Sequence, residues 1–183
     1  GVPQPPLHRL LREGDQVALP PFGEALGQLP LRQAIEIRRS LRTYAEAPLS
    51  LAELSFLLWT TQGVLPASKP THTLRTVPSA GARHALETVL LINRVDGLIP
   101  SVYQYDAARH QLLRWEGTTE EAPKWTAACL GQPMLATCAA AFAWVADRQR
   151  MAWRYTDRGL RYLFLDAGHV CQNLHLAAES IAA

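Results

Sequence analysis

The clearest hydrophobic pattern lies near the carboxyl end of the chain. Apolar residues recur there at steps of four, three, four, three and four, at Leu163, Ala167, Val170, Leu174, Ala177 and Ile181. This spacing puts one apolar stripe on a helix, so it predicts a long core helix. The pattern runs to residue 183 without a terminal glycine or a basic last turn, and we therefore expect the natural chain to continue.

Two further helices are predicted in the first third of the chain. Ser50 and Glu53 form a capping box ahead of the run "LAELSFLLWTTQ", and Gly63 follows that run in the position of a helix C-cap. A shorter helix is predicted over Leu31–Arg39, through the apolar positions Leu31, Ala34 and Ile35.

Strand patterns occupy the middle of the chain. Leu86–Asn93 and Leu135–Val145 are apolar runs that predict two buried strands, and residues 101–115 contain two β-prone runs around an Asp-Ala-Ala-Arg turn. The latter predicts a hairpin. Two more helices are expected, over Glu120–Leu130 and from a cap at Asp147 to about Tyr155.

The order of these elements predicts the fold class. Helices and strands do not alternate as in βαβ units, so we expect an α+β domain. Residues 1–29 carry prolines and glycines with little periodicity and are interpreted as an N-terminal arm, and residues 30–183 as a single domain. Residues 64–84 are rich in turn formers and are predicted to be a loop.

Composition and charge narrow the functional class. The chain is 48% hydrophobic and 19% charged, with a net charge of only +2, which argues against a nucleic-acid binder. Its longest apolar run is too short to span a membrane, and no signal peptide is visible. Three widely spaced cysteines without a CxxC motif argue against a metal site or disulfides and favour a cytoplasmic location.

The stretch "IRRSLRTY", residues 37–44, is the first candidate for chemistry. Arg38, Arg39, Ser40 and Arg42 lie where a helix turns into a loop, and guanidinium and hydroxyl donors there could converge on one anion such as phosphate. On residue types alone, the alternative is a solvated helix end whose arginines pair with nearby glutamates.

Two later stretches are the other candidates. "VPSAGARH", residues 77–84, combines small side chains with a glycine, so its backbone could lie flat against a planar ligand. In "WRYTDRG", residues 153–159, Arg154 adjoins Tyr155, and a neighbouring cation favours a phenolate. The alternatives are a plain loop entering a strand and side chains that only cover the rim of the core.

Taken in order, four stretches resemble the nitroreductase-fold flavoproteins, and among them the SagB-type dehydrogenases, the azoline oxidases of thiazole- and oxazole-containing peptide pathways. The stretches are "RRSLRTY", "VPSAGARHALE", "VYQYDAARHQL" and "YTDRGLRYLFLDAGHVCQNLHLAAE". The resemblance covers about residues 31–183. It implies a central, mostly antiparallel sheet flanked by helices, in an obligate homodimer with FMN bound between the subunits.

The resemblance also implies roles for individual residues. The FMN phosphate would be bound by Arg38, Ser40 and Arg42 with Arg39 nearby, and the flavin would be lined by Pro78, Ser79, Ala80 and Gly81. Arg154 and Tyr155 match a Lys-Tyr pair that related azoline oxidases use to remove the substrate proton. Arginine stays charged and cannot act as a base, so Tyr155 becomes the candidate base and Arg154 its electrostatic helper.

The implied activity is the oxidation of a thiazoline or oxazoline in a small molecule or peptide to the azole, with dioxygen as the final electron acceptor. Other biosynthetic enzymes are possible partners. Two alternatives stay open: an NAD(P)H-dependent reductase of nitro compounds or quinones on the same fold, and a catalytically degenerate scaffold in a biosynthetic complex. Family members also continue into a further C-terminal segment that contributes to the flavin pocket, so we expect part of the site to lie beyond residue 183.

Overall fold

A computed structural model describes residues 3–69, 71–117 and 120–182, so the first two residues of the predicted arm and the terminal Ala183 lie outside the described residues. Within these ranges one antiparallel sheet has its strands in the order β1-β4-β3-β2-β5. The strands are β1 (Gly14–Ala18), β2 (Leu86–Ile92), β3 (Ser101–Asp106), β4 (Gln111–Trp115) and β5 (Ala140–Ala146).

Helices pack against this sheet and complete the predicted α+β fold. They are α1 (Leu31–Ile37), α2 (Leu51–Gln62), α3 (Glu121–Ala128), α4 (Met134–Thr137), α5 (Arg148–Tyr155) and α6 (Gly159–Ser180), with 3-10 turns at Ala80–Ala82 and Thr156–Arg158. Among the helices of the described residues, none combines the length and the apolar character that crossing a membrane needs.

The helix α2 begins and ends where the sequence predicts. The Ser50 hydroxyl accepts the Glu53 amide at 3.2 Å, and the Glu53 carboxylate accepts the Ser50 amide at 2.8 Å. These two bonds satisfy backbone donors that the helix itself leaves free. The buried side of α2 packs on the sheet, where Leu54 and Leu58 join the main hydrophobic cluster with Leu90 of β2.

The long helix α6 confirms the predicted apolar stripe. Leu163 and Val170 are buried with Val77, Leu86 and Met151 in a second cluster that joins α6 to β2 and α5. Farther along the helix, Ala177 is buried against α2 in a third cluster. The helix α6 thus contributes to both clusters, and the segments that carry the candidate chemistry contact it along its length.

The predicted hairpin and its turn are also confirmed. Strands β3 and β4 pair with Asp106 opposite Gln111 at the turn end. The buried Asp106 carboxylate accepts the backbone amides of Ala108 at 3.0 Å and Arg109 at 3.3 Å, which closes the turn. An aspartate that binds the amides two and three residues on is a common way to begin such a turn.

One strand prediction needs correction, in its start and in its burial. The buried strand expected over Leu135–Val145 begins only at Ala140, because Met134–Thr137 forms the helical turn α4 after Pro133. It is an edge strand whose outer residue Val145 is 42% exposed, so it is not fully buried. An apolar, alanine-rich run suits either a helix or a strand, and the pattern could not separate the two.

The N-terminal arm contributes a strand that the sequence pattern did not predict. Residues Gly14–Ala18 form β1, which pairs with β4 at the sheet edge. Farther upstream, the backbone of Arg9 and Leu11 binds the buried Gln104 side chain through bonds of 2.7 Å each. The partners of this strand are nearly a hundred residues away, so local periodicity held little signal of it.

The short helix α1 also departs from its predicted role. It ends at Ile37 instead of Arg39, and only Ala34 is buried. Leu31 and Ile35, two of the apolar positions that predicted the helix, are 65% and 57% exposed. Their apolar side chains therefore lie on the surface of the described chain.

Candidate functional site

The arginine stretch follows α1 as exposed, extended chain beside the end of α6. The Arg38 amide donates to the Ala34 carbonyl and closes the helix. The next amide, of Arg39, donates to the Glu179 carboxylate at 3.2 Å, which ties the stretch to the last turn of α6. The side chains of Arg39, Ser40 and Arg42 are exposed.

These arginines do not form the ion pairs that the alternative interpretation requires. The Arg39 guanidinium donates to the backbone carbonyls of Glu36 at 3.0 Å and Arg38 at 2.9 Å. The Glu36 carboxylate is bound instead by Arg32, at 2.8 Å. Within the described residues no ion pair involves Arg38, Arg39 or Arg42, so the positive charge of the stretch faces solvent.

The loop Pro78–Gly81 is held against α6 by one buried carboxylate. Asp166, which is 4% exposed, accepts the Ser79 hydroxyl at 2.6 Å and the Ala80 amide at 3.2 Å. The Ser79 hydroxyl in turn accepts the His84 amide at 2.8 Å, so the loop closes on itself. Asp166 was not predicted as a site residue. The only signal was an acidic residue within the apolar stripe of α6.

The loop backbone takes a sparsely populated conformation. Gly81 has φ +57°, and Ala82 and His84, which carry side chains, have φ +52° and +43°. Such conformations cost free energy for residues with a side chain and persist only where the surroundings enforce them. They cluster at binding and catalytic sites, which is consistent with a functional role for this loop.

Gly81 brings the loop into contact with the end of α5. A Cβ atom on Gly81 would lie 2.6 Å from the Tyr155 hydroxyl and 2.8 Å from the Arg154 Cδ and Nε atoms. Real Cβ contacts are not that close, so a side chain at residue 81 would force the Tyr155 or Arg154 side chain to shift. The structure therefore brings together two of the three candidate stretches, which are more than 70 residues apart in the sequence.

Tyr155 and Arg154 differ in their exposure. Tyr155 is partly buried, with its ring 4.4 Å from the Tyr162 ring, while Arg154 is exposed and its guanidinium lies 5.9 Å from the centre of the Tyr155 ring. The phenol is thus fixed by packing with its hydroxyl next to Gly81. A positioned hydroxyl beside a cation has the chemistry of a general base or acid.

A buried ion pair that sequence reasoning missed holds α5 in place. The Arg150 guanidinium donates to the Glu87 carboxylate and to the His84 carbonyl, at 2.6 and 2.8 Å. Arg150 is 1% exposed and lies one helical turn before Arg154. Its contacts connect α5 with β2 and with the end of the loop, so they set the position of Tyr155 relative to Gly81.

Arg83 is a further residue that the sequence did not single out. It is 4% exposed, donates from Nε to the Gly81 carbonyl at 3.0 Å, and lies 5.2 Å from the centre of the Trp153 ring. Burial lowers the pKa of Arg83, and the charge of Arg154 lowers it further. Both effects disfavour its charged form, and the second shows that Arg154 lies close enough to repel it.

The arginine stretch lies far from this loop within one chain. The stretch contacts Glu179 and the loop contacts Asp166, and both acids belong to α6. At a rise of about 1.5 Å per residue, these anchor points are about 20 Å apart along the helix axis. Among the described residues no cluster of three or more His, Cys, Asp or Glu side chains is suited to a metal.

An antiparallel sheet flanked by helices, with a long helix that contacts a small-residue loop beside a tyrosine, defines an α+β fold. The chain belongs to the nitroreductase family, because the model of the Nitroreductase family matches residues 35–182. Members of this family generally use FMN.

Curated relatives of two kinds resemble the chain. It is 34% identical over 154 residues to MJ1384 of Methanocaldococcus jannaschii, a protein named as a nitroreductase. The match covers 84% of this chain and 75% of that protein. It is 26% identical over 162 residues to the trifolitoxin-processing protein TfxB of Rhizobium leguminosarum bv. trifolii, covering 86% of this chain but only 40% of that protein.

Solved structures share the fold. A nitroreductase-named protein of Anabaena variabilis matches with a TM-score of 0.72 and 27% identity over 90% of this chain and 34% of that one. A chain of the Escherichia coli microcin synthetase McbBCD complex, solved with truncated pro-MccB17 bound, matches with a TM-score of 0.61 and 19% identity, over 96% of this chain and 64% of that one. At that identity the second likeness concerns the fold alone.

Proposed function

We propose that this chain is an FMN-dependent oxidoreductase of the SagB type that dehydrogenates a thiazoline or oxazoline ring to the azole during maturation of a peptide natural product. The observation that carries the proposal is the contact of Tyr155 and Arg154 with Gly81 of the small-residue loop. The similarity to a protein named for trifolitoxin processing supports a peptide-derived substrate. The fold of a microcin synthetase component is consistent with a role beside other biosynthetic enzymes.

The residues present fit FMN at both ends of the cofactor. Arg38, Ser40 and Arg42, with Arg39 nearby, would bind the phosphate, because their donors are exposed and the arginines are not ion-paired in the described chain. Pro78, Ser79, Ala80 and Gly81 would line the ring system.

A homodimer would reconcile the distance between these two regions. They lie about 20 Å apart along α6 in one chain, and a partner subunit could bring its own loop toward the arginine stretch. The first half of α6 also exposes apolar side chains, with Phe164 at 73% and Leu160 and Leu165 at 52% and 58%. Exposed apolar patches of this kind are typical of subunit interfaces.

Tyr155 and Arg154 would divide the work on the substrate. Tyr155 would act as the general base that takes the proton from the ring carbon that becomes unsaturated. Arg154 would assist it electrostatically without taking a proton itself. When bound, FMN supplies the acceptor for the hydride that leaves with that proton, and dioxygen reoxidises it.

The proposal is tested with an azoline-containing peptide under air. We expect Tyr155→Phe to lower the rate of azole formation by at least about a hundredfold, as for loss of a general base. Tyr162→Phe is the matched control, because its ring lies 4.4 Å from that of Tyr155 and it should keep most of the activity. Equal turnover by the wild type and Tyr155→Phe would remove Tyr155 from the mechanism.

One observation favours a second function, reduction of nitro compounds or quinones by NAD(P)H. The curated relative at 34% identity carries a nitroreductase name. Rapid bleaching of bound flavin by NADPH would support this reductase, whereas a flavin inert to nicotinamides would support the oxidase. A purified protein that cannot take up FMN would instead indicate a degenerate scaffold, an alternative raised by Arg154 at the position of a lysine.

A further inference from the structure

Two arginine side chains, Arg83 and Arg154, lie beside Gly81, and neither is paired with a carboxylate in the described chain. The Arg154 side chain occupies the space that a side chain at residue 81 would need, and the Arg83 Nε donates to the Gly81 carbonyl. Neither arginine takes part in an ion pair within the described ranges of the chain. Two like charges held this close repel each other unless an anion lies between them.

Two contacts hold Arg83 in place, and one nitrogen of its guanidinium group has no hydrogen bond in the described protein. Its Nε bond to Gly81 and its packing on the Trp153 ring orient the guanidinium. Its Nη1 atom is buried and has no hydrogen-bond partner in the described protein. A buried, charged donor without a partner is costly, so a ligand that accepts from it would be bound favourably.

The nearby carboxylates are already used elsewhere. Asp166 accepts hydrogen bonds from Ser79 and Ala80, and Glu87 accepts from Arg150. Burial and the charge of Arg154 both lower the pKa of Arg83, in keeping with a missing counter-charge. The chain thus supplies two donors at this point and leaves the acceptor to a ligand.

We propose that Arg83 and Arg154 together bind a carboxylate of the substrate and hold the reacting ring beside Tyr155. The inference rests on the proposed function, because it places the substrate at the same site. It goes further by assigning the substrate a class, an acidic molecule such as a peptide with a free carboxylate near the ring. Guanidinium groups match the two oxygens of a carboxylate, which gives orientation as well as affinity.

The test compares two azoline peptides that differ only at the C-terminus, a free carboxylate and its amide. Binding to the FMN-loaded protein is measured by calorimetry, so the readout does not depend on turnover. We expect the wild type to bind the carboxylate peptide roughly tenfold or more tightly, the factor typical of a hydrogen bond to a charged group. Arg154→Gln and Arg83→Gln should each reduce this preference to near unity.

Two control variants show whether the preference depends on this arginine pair or on charge in general. Arg148→Gln removes the same charge from an exposed site on the same helix and should keep the preference. Arg161→Gln removes a charge from an exposed position of α6 and should also keep it. Since Arg154 is exposed, its replacement should leave the fold intact even if the Arg83 variant fails to fold.

The outcomes distinguish the two proposals. A carboxylate preference that depends on the arginines, without azole formation, would overturn the azoline oxidase and leave this inference standing. Equal binding of the two peptides by the wild type would overturn the inference whatever the turnover. Competition by inorganic phosphate that weakens both peptides equally would also overturn it, because the pair would then be a phosphate site.

Discussion

Gly81 shows how one residue connects the loop with the catalytic candidates. Its φ of +57° falls in the region that side-chain-bearing residues avoid, and the space of its missing Cβ is occupied by Tyr155 and Arg154. Both the backbone and the neighbours therefore require glycine. The effect of the backbone conformation can be separated from that of the close neighbours, because Gly97 has a positive φ but no close neighbours.

Gly81→Ala is predicted to destabilise the protein more than the matched variant Gly97→Ala. Gly97 also has positive φ, +78°, but nothing lies within 4 Å of its Cβ position. Gly97→Ala should cost about 1–2 kcal/mol of unfolding free energy from backbone strain alone. Gly81→Ala should cost more and should also weaken flavin uptake, because Tyr155 must move.

Urea unfolding and the visible spectrum after FMN addition measure these two effects. Gly97→Ala should leave the flavin bands unchanged. If both variants lost the same free energy and kept the same flavin, the close contact at Gly81 would have no energetic consequence.

At the scale of elements, the helix α5 depends on a buried charge pair. Arg150 and Glu87 are 1% and 6% exposed, and Arg150 also binds the carbonyl of His84 in the loop. Removing one partner leaves the other charge buried without compensation. The same pair orients Arg154 and Tyr155, so stability and site geometry are coupled through α5.

Arg150→Met is predicted to lower the unfolding free energy by about 3–5 kcal/mol. The double variant Arg150→Met with Glu87→Gln should recover part of this loss, because no buried charge is then unpaired. The matched comparison is Lys124→Met, which removes a largely exposed lysine from its pair with Glu121 and should cost less than about 1 kcal/mol. Denaturant unfolding of the four proteins gives these differences, and similar losses for Arg150→Met and Lys124→Met would contradict the importance of the buried pair.

At the scale of the whole molecule, histidines make stability depend on pH. Burial, together with the charge of Arg75, lowers the pKa of His8 to about 4 and that of His84 to about 3. Burial alone lowers the pKa of His110, which lies between the side chains of Ser55 and Tyr105. These shifts favour the neutral form of each histidine in the folded protein.

Stability should therefore fall on acidification from about pH 6.5, the usual histidine value, toward about pH 4. Below that usual value the histidines of the unfolded chain take up protons, while the buried histidines of the folded protein do so only at lower pH. Each histidine contributes at most about 1.4 kcal/mol per pH unit, and less where it is only partly buried. Above about pH 6.5 this contribution to stability is fully present.

His84→Asn is predicted to flatten the acid side of the stability curve, since asparagine tolerates the positive φ and does not titrate. Replacing the exposed His169 by asparagine is the control and should leave the slope unchanged. Urea unfolding at about pH 7 and about pH 5 compares the variants. An unchanged slope for His84→Asn would show that its burial does not govern the acid response.

Local patterns predicted most of the regular structure because local physics decides it. The capping box of Ser50 and Glu53, the stripe of α6 and the Asp106 turn all depend on residues a few positions apart. The errors fall where partners are distant or the pattern is ambiguous. They are β1, whose partner strand is at Gln111–Trp115, and the apolar run that divides into α4 and β5.

The candidate site was predicted in part. Residue types and the family resemblance singled out Gly81, Arg154 and Tyr155, which the structure brings into contact. Asp166 and Arg83 were missed, because a buried acid and a buried arginine carry no local signature of burial. Their importance appears only when the loop, α5 and α6 are packed together.

By itself the sequence determined the α+β class, most helix and strand positions, the family resemblance and the residue types that suit a flavin phosphate and a proton transfer. Only the tertiary structure decided which of these residues meet, which arginines lack an acidic partner, and that the arginine stretch and the loop contact opposite parts of α6. The physical reason is the separation in sequence of the residues that interact. Helix caps, stripes and turns depend on neighbours in the chain, whereas burial and charge pairing depend on contacts between residues that are far apart in sequence.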